Sequence, residues 1–534
     1  MSTEMHPTRW GDPARASALP QTARDLVALV FPVADRMVAD DAAVSLPPSV
    51  LTAEMLAELA SVVGPDHVLT DERSRRLRAG GKSTPDLLRA RSGDVSQPPG
   101  AVVRPQSHDE VQAVLEIASS HRVAVVPFGG GTSVVGGLAV RHEGYAGGIS
   151  LDLGRMTRLL AVDPVSMTAT LEPGLRGPDA EALLAEHGLT LGHYPQSFEY
   201  ATVGGFAATR SSGQSSAGYG RFDAMVTGLV VATPAGPVEL GRAPASAAGP
   251  DLRQLFLGSE GAFGVITAVT VRVRPAPETG VYEGWRWATF DAGADAMRRL
   301  AQAQLLPTVL RLSDESETAL NLADPDAIGG GVAGESGEAG ESGGGSLMVV
   351  GFEGTVESVA TRRAAVTAVL ADLGGEPVGE EPGRRWLAGR FDAPYLRDSL
   401  LDVGVLVETI ETAAYWSGLR RTYDAVSAAL LEALDGPALV LCHVSHVYET
   451  GASLYFTVAA ADGPDPLGTW ADARSAALDA IVDSGATITH HHGVGADHLP
   501  WLEDEVGAVG VEVLRAVKAA LDPQGVLNPG VLIA

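Results

Sequence analysis

The feature that most limits what this chain can fold into is an apolar run that leads straight into three glycines. Val123-Ala124-Val125-Val126 reads as a buried strand, and Pro127-Phe128-Gly129-Gly130-Gly131-Thr132-Ser133 follows it directly. Glycines leave backbone N–H groups bare and the two hydroxyls add donors, so a phosphate can come close. The loop carries no Asp or Glu, as anion binding requires. Taken alone it is equally a tight turn that needs positive φ. No usable G-x-G-x-x-G occurs, which argues against a Rossmann nucleotide site.

Three later segments of small residues share the ability to lie against a large flat ligand. The first is Pro195-Gln196-Ser197-Phe198-Glu199-Tyr200-Ala201, followed by Thr202-Val203-Gly204-Gly205. The second is Ala208-Thr209-Arg210-Ser211, with a Ser/Gly run to Gly220. The third is Gly258-Ser259-Glu260-Gly261-Ala262-Phe263-Gly264-Val265-Ile266. Between them the pattern predicts short strands at Gly148–Leu153, Leu159–Val162 and Thr168–Glu172, and a helix over Pro178–His187 stopped by Gly188. Ser107-His108-Asp109-Glu110 has capping-box spacing ahead of a helical run through Val111, Val114, Leu115 and Ala118. Val269, Val271 and Val273 alternate with polar residues as in a half-buried strand.

Composition narrows the function. The chain has 534 residues, 66 acidic against 38 basic, and a formal charge of -28, which argues against nucleic-acid partners. Cys442 is the sole cysteine, so neither an internal disulfide nor a thiolate zinc site is available. A polar N-terminus, no run of about 20 apolar residues and a Val531-Leu532-Ile533-Ala534 ending make a cytoplasmic enzyme the expectation. Gly80-Gly81-Lys82-Ser83-Thr84 mimics the end of a P-loop, but Arg76 stands where that motif needs Gly, so a surface turn is expected.

The most unusual string is His490-His491-His492-Gly493-Val494-Gly495. Adjacent residues cannot all face one way on a strand. Converging carboxylate or cysteine partners are not evident nearby, so no metal site is expected. The triplet reads instead as a base or oxyanion partner near a cofactor, or as buried structural histidine.

The order and spacing of the four small-residue segments resemble the FAD domain of the vanillyl-alcohol oxidase and p-cresol methylhydroxylase superfamily, over roughly Val102 to Pro277. The histidine triplet with its Gly-Val-Gly resembles, more narrowly, the active-site segment of the alkyldihydroxyacetonephosphate synthase family. Val309-Leu310-Arg311-Leu312-Ser313-Asp314, Tyr395-Leu396-Arg397-Asp398 and Ser453-Leu454-Tyr455-Phe456-Thr457 match further family segments in order, and Asn528-Pro529-Gly530 is a common superfamily ending. The resemblance implies that Arg311 is essential, that Arg397 binds the substrate, that Tyr455 is an acid/base, and that His490, His491 and His492 belong to the active site. The four segments would wrap FAD, held non-covalently. One departure stands out: the family commonly continues with Lys after Gly-Val-Gly, whereas this chain has Ala496-Asp497.

The implied fold class is α+β. A two-subdomain FAD-binding domain of the p-cresol methylhydroxylase type (96–277) follows a mainly helical region (1–95). An α/β substrate or cap domain (278–487) carries a flexible Gly-rich insert at 329–346, and a C-terminal active-site segment with a helix closes the chain (488–534). The implied activity exchanges the acyl group of acyl-dihydroxyacetone phosphate for a fatty alcohol, in ether lipid synthesis. Two alternatives stay open: an FAD-linked D-2-hydroxy acid dehydrogenase or oxidase, and a non-catalytic flavin-binding scaffold. A lipid substrate implies peripheral membrane contact, and the superfamily implies a homodimer.

Overall fold

The computed structural model describes residues 4–39, 44–95, 97–320, 344–434 and 436–533. Most of the Gly-rich insert, 329–343, lies outside them. Ser346, counted with the insert by composition, is the first residue of the strand Ser346–Gly354.

Two large sheets build the first half, beside a small pair of Leu189–Thr190 and Arg274–Pro275. One has four strands in the order Val68–Leu69, Ala101–Val103, Gly148–Asp152, Ala124–Phe128. The last three of these run parallel, Val68–Leu69 pairs antiparallel, and the helix His108–His121 makes the crossover. Ser107 caps that helix by accepting from the Glu110 N–H at 3.2 Å, and Val111, Val114, Leu115 and Ala118 bury its inner face. A second sheet of five antiparallel strands follows in the order Leu159–Asp163, Thr168–Leu171, Val265–Arg272, Val226–Thr233, Gly236–Leu240. These are the two subdomains expected of the FAD-binding half. The tail returns to the first sheet, where the Asn528 N–H donates to the Val125 carbonyl at 2.8 Å.

The second half is one seven-stranded antiparallel sheet. Its order is Glu376–Gly379, Thr279–Trp287, Ser346–Gly354, Val309–Ser313, Ala438–Val444, Gly451–Ala461, Val405–Tyr415. Helices Phe290–Gln302, Val356–Asp372, Leu419–Ala433 and Pro466–Asp483 contribute to the main core against it, with Trp285, Trp287, Phe352 and Phe456 fully buried. Strand pairing decides what the other face presents. Phe456 lies opposite Ile410 and Cys442, in the core. One residue earlier, Tyr455 lies opposite Glu411 on one side and His443 on the other. Side chains alternate along a strand, so a row of Glu411, Tyr455 and His443 crosses the sheet on the face away from that core.

Phe456 therefore supports the row from behind. Phe456→Ala is expected to cost about 3–5 kcal/mol of stability, read as a lowered midpoint in chemical denaturation.

Candidate active site

The four glycine- and serine-rich segments meet. The loop after Phe128 presses against the chain at 200–202: a Cβ on Gly130 would enter the Tyr200 carbonyl, and one on Gly129 would enter the Thr202 hydroxyl. Gly261, with φ of +82°, abuts Pro127, where a Cβ would lie 2.7 Å from the ring. The Gly258 N–H donates to the Ala207 carbonyl at 3.0 Å and the Glu260 N–H to the Ala208 carbonyl at 2.9 Å. Residues 127–133, 195–201, 208–211 and 258–266 thus form one cradle. Buried polar atoms there have no protein partner: Gln196 Nε2, Ser215 Oγ, His193 Nδ1 and Asn528 Oδ1. A large polar cofactor supplies partners for groups of this kind, so the residues present fit FAD. His193 is itself buried, with Nε2 hydrogen-bonded to the Ser211 hydroxyl at 3.1 Å.

The histidine triplet is neither strand nor helix; it is a bend wound around one carboxylate. Glu411 is 0 % exposed. It accepts the backbone N–H groups of His490 at 2.8 Å, His491 at 3.1 Å and His492 at 3.0 Å, and the Thr489 hydroxyl at 2.6 Å. It also lies 3.2 Å from His491 Nδ1. Burial alone would raise its pKa, but His491, with His492 and His490 adding to it, holds the carboxyl well below the ordinary range. The following Gly-Val-Gly is anchored by a second carboxylate. Glu260 accepts the Gly495 N–H at 2.7 Å, while burial pushes its pKa up to about 7. Gly493 and Gly495 have φ of +96° and +55°. A Cβ on the first would meet the Glu260 carboxylate, and one on the second the Val135 carbonyl, so glycine is required at both.

Rings gather over the sheet row. His443 stacks on Tyr455 at 4.8 Å between centroids, and Tyr455 lies 6.0 Å from His491 and 5.6 Å from His492. Burial raises the Tyr455 hydroxyl to about 12 and lowers His492 to about 3, so both are neutral near pH 7. Arg311 stands one ring away from Tyr455. Its Nη2 donates to Glu317 at 2.7 Å and lies 3.0 Å from His443 Nδ1. Although burial opposes it, Arg311 together with His443 lowers Glu317 to about 2.

Arg397 comes from the helix Ala393–Leu401 and is buried. It donates to the Lys82 carbonyl at 2.7 Å and to Asp398 at 3.4 Å, and its Nε has no partner. Its charge bears on both Tyr455 and Glu408. The segment Gly80-Gly81-Lys82-Ser83-Thr84 is not the expected surface turn. Lys82 is 7 % exposed and Thr84 is fully buried. Thr84 is bonded through its N–H to Glu408 and through its hydroxyl to the Val407 carbonyl. Ser83 caps the helix Thr84–Ser92. Such polar residues favour the surface, yet cross-chain hydrogen bonds satisfy these inside. Burial lowers Lys82 to about 8, with Asp398 opposing. Ala496 stands where Lys is common, and its neighbour Asp497 pairs with Arg474 at 2.7 Å.

Glu411, Glu408, Lys82, His443, His446 and Tyr448 are site residues that sequence reasoning missed. A signal existed for two: Glu408 and Glu411 interrupt an apolar strand, where a carboxylate persists only when partnered. A carboxylate thus does accompany the triplet, contrary to the expectation from spacing. Ligating atoms of His446, His490 and His491 also lie within 4.8 Å of one another. His446 Nδ1 is engaged by the Ser216 hydroxyl at 2.7 Å and His490 Nε2 by the Tyr448 hydroxyl at 2.5 Å.

Glu411→Ala is expected to leave several buried N–H groups without an acceptor, at about 1–3 kcal/mol each. Glu411→Gln keeps one acceptor oxygen and loses the charge. Because the folded pKa is depressed, the charge stabilises fully above about 4.5 and its contribution is lost as pH falls through the folded value. The stability gap between wild type and Glu411→Gln, from denaturant melts at several pH values, is expected to be largest near pH 7 and to shrink below pH of about 4.5.

Comparison with known proteins shows the family and the fold. Residues 99–240 match the model of an FAD binding domain, and residues 276–532 match the C-terminal domain of FAD linked oxidases. The alkyldihydroxyacetonephosphate synthase of Trypanosoma brucei brucei is 34 % identical over 510 residues, covering 92 % of this chain and 83 % of that protein. A solved alkyldihydroxyacetonephosphate synthase structure superposes with a TM-score of 0.82 at 27 % identity, covering 98 % of both chains. A p-cresol methylhydroxylase structure shares the fold, with a TM-score of 0.67 at 18 % identity over 91 % of this chain and 98 % of that one. With its cradle, its cap sheet and its histidine turn, the chain belongs to the FAD-binding enzyme family of p-cresol methylhydroxylase and vanillyl-alcohol oxidase, alongside the alkyldihydroxyacetonephosphate synthases.

Proposed function

We propose that this enzyme exchanges the acyl group of acyl-dihydroxyacetone phosphate for a fatty alcohol and so makes an ether bond. The observation that carries the reading is the row of the cap sheet on which Tyr455 meets the histidine turn, with the Arg397 charge bearing on Tyr455. FAD, bound non-covalently in the glycine cradle, would supply the reactive centre that side chains lack. Side chains do the rest. Arg397, backed by the Lys82 turn, offers a guanidinium to a phosphate in competition with Asp398. Of His492 and Tyr455, both neutral at working pH, one takes up the proton beside the reacting carbonyl as base and the other can return one. Arg311 acts at one remove, by fixing His443 against the Tyr455 ring. A lipid substrate places the reaction at a membrane surface, although no described helix is long and apolar enough to cross one.

Two variants test this reading. Tyr455→Phe is expected to lower kcat for labelled-alcohol incorporation by about 10²–10⁴-fold with little change in flavin content. Arg397→Met is expected to raise KM for the phosphorylated substrate while a non-phosphorylated analogue is affected far less. A panel of D-2-hydroxy acids added anaerobically is expected to leave the visible flavin spectrum oxidised. Bleaching by one of them would move the assignment to a dehydrogenase.

A further inference from the structure

The cap carries a second guanidinium that the proposed reaction leaves unused. Arg390 caps the helix Glu381–Gly389 and stands just before the helix that holds Arg397. Its guanidinium carbon lies 4.7 Å from the centre of the Tyr194 ring, 4.8 Å from Phe391 and 5.8 Å from Trp386. Phe198 extends this wall, edge-on to Tyr194 at 5.1 Å and stacked on Phe391 at 5.5 Å. Among the described residues the guanidinium makes no ion pair and no hydrogen bond, and its Nη1 is buried without a partner. Glu353, whose charge bears on Arg390, is already engaged by the hydroxyls of Tyr219 at 2.7 Å and of Tyr282. Burial works against the charge of Arg390, and ring faces compensate it only in part, so an anionic group is the ligand this side chain fits. The four rings fit an apolar chain attached to that anion. We propose that Arg390 binds the carboxylate of a long-chain fatty acid, whose chain lies along Tyr194, Phe198, Phe391 and Trp386.

One loop ties this subsite to the histidine turn. Gln214 donates through Nε2 to the Arg390 carbonyl at 2.9 Å and through its N–H to the Tyr194 carbonyl at 2.9 Å. On either side of Gln214, the Ser212 and Ser216 hydroxyls lie 3.0 and 2.7 Å from His446 Nδ1, and the His446 ring stacks on His490 at 5.0 Å. The subsite rests on the acyl exchange proposed above and names where the departing group goes. In that exchange the ester oxygen leaves the dihydroxyacetone carbon with the acyl group, and the alcohol oxygen takes its place. The alcohol proton passes to solvent, and no electrons are transferred overall. The acid is thus released as a carboxylate, the charge for which Arg390 has no partner in the chain.

Calorimetric titration of the FAD-loaded protein tests the subsite without turnover. The ligands are dodecanoate, dodecanol of the same chain length, and inorganic phosphate. Arg390→Met keeps an apolar stem against the rings and removes the charge, and Arg390→Lys restores a charge. In Arg390→Met the Kd for dodecanoate is expected to rise about tenfold or more, with dodecanol affinity and flavin content unchanged. Arg390→Lys is expected to recover part of the loss. Failure of the wild type to bind dodecanoate overturns the subsite, as does equal binding by wild type and Arg390→Met. An equal loss of dodecanoate and dodecanol overturns the role of the charge. Loss of phosphate affinity in place of dodecanoate affinity assigns the cation to a phosphate, and loss of FAD assigns it to the cofactor; either overturns the fatty-acid assignment. If the wild type forms no ether product, the proposed function fails, while the dodecanoate and dodecanol titrations still decide the subsite.

Discussion

One carboxylate, Glu411, shapes the site. Three consecutive amide N–H groups point at it from a bend outside any helix or strand, an arrangement that a buried negative charge stabilises. By turning the backbone of His490, His491 and His492 inward, Glu411 leaves their imidazoles to face Tyr455, His446 and Tyr448. The charge is deep in protein, so its partners must all be present at once. That requirement ties the end of the chain to the edge strand of the cap sheet, although 79 to 81 residues separate the partners.

Glu260 ties the same turn to the other half of the molecule. It sits in a cofactor-cradle segment, accepts the Gly495 N–H, and offers its carbonyl to Asn528 at 2.6 Å. The histidine turn is therefore clamped between the antiparallel cap sheet and the glycine cradle. A ligand bound in the cradle would lie against residues that the cap sheet orients. The two halves cannot move apart without breaking hydrogen bonds to two buried or half-buried carboxylates.

Local signals made much of this legible. The strand before Gly129, the Ser107 cap and the helix behind it, and the positive φ of Gly188 follow from short-range rules that the structure keeps. The histidine string was visible as unusual chemistry, but its shape was not. Glu411 is distant in sequence, and its role depends on register with Tyr455, which no local pattern encodes. The Lys82 turn misled for the same reason. Its residues look solvent-seeking, and only the partners supplied by Val407, Glu408 and Arg397 make burial favourable. Tyr448 and His446 gave no spacing signal, because their partners lie in the serine run after Arg210 and in the histidine turn.

The proposed reaction joins a fatty alcohol to a dihydroxyacetone phosphate skeleton without net oxidation. The most direct measurement is anaerobic incubation of the purified FAD-loaded protein with acyl-dihydroxyacetone phosphate and labelled hexadecanol, with no electron acceptor present. Labelled ether product in equal amount to the fatty acid released is the expected result. Release of fatty acid without labelled ether, or no product at all from a flavin that a 2-hydroxy acid reduces, would contradict it.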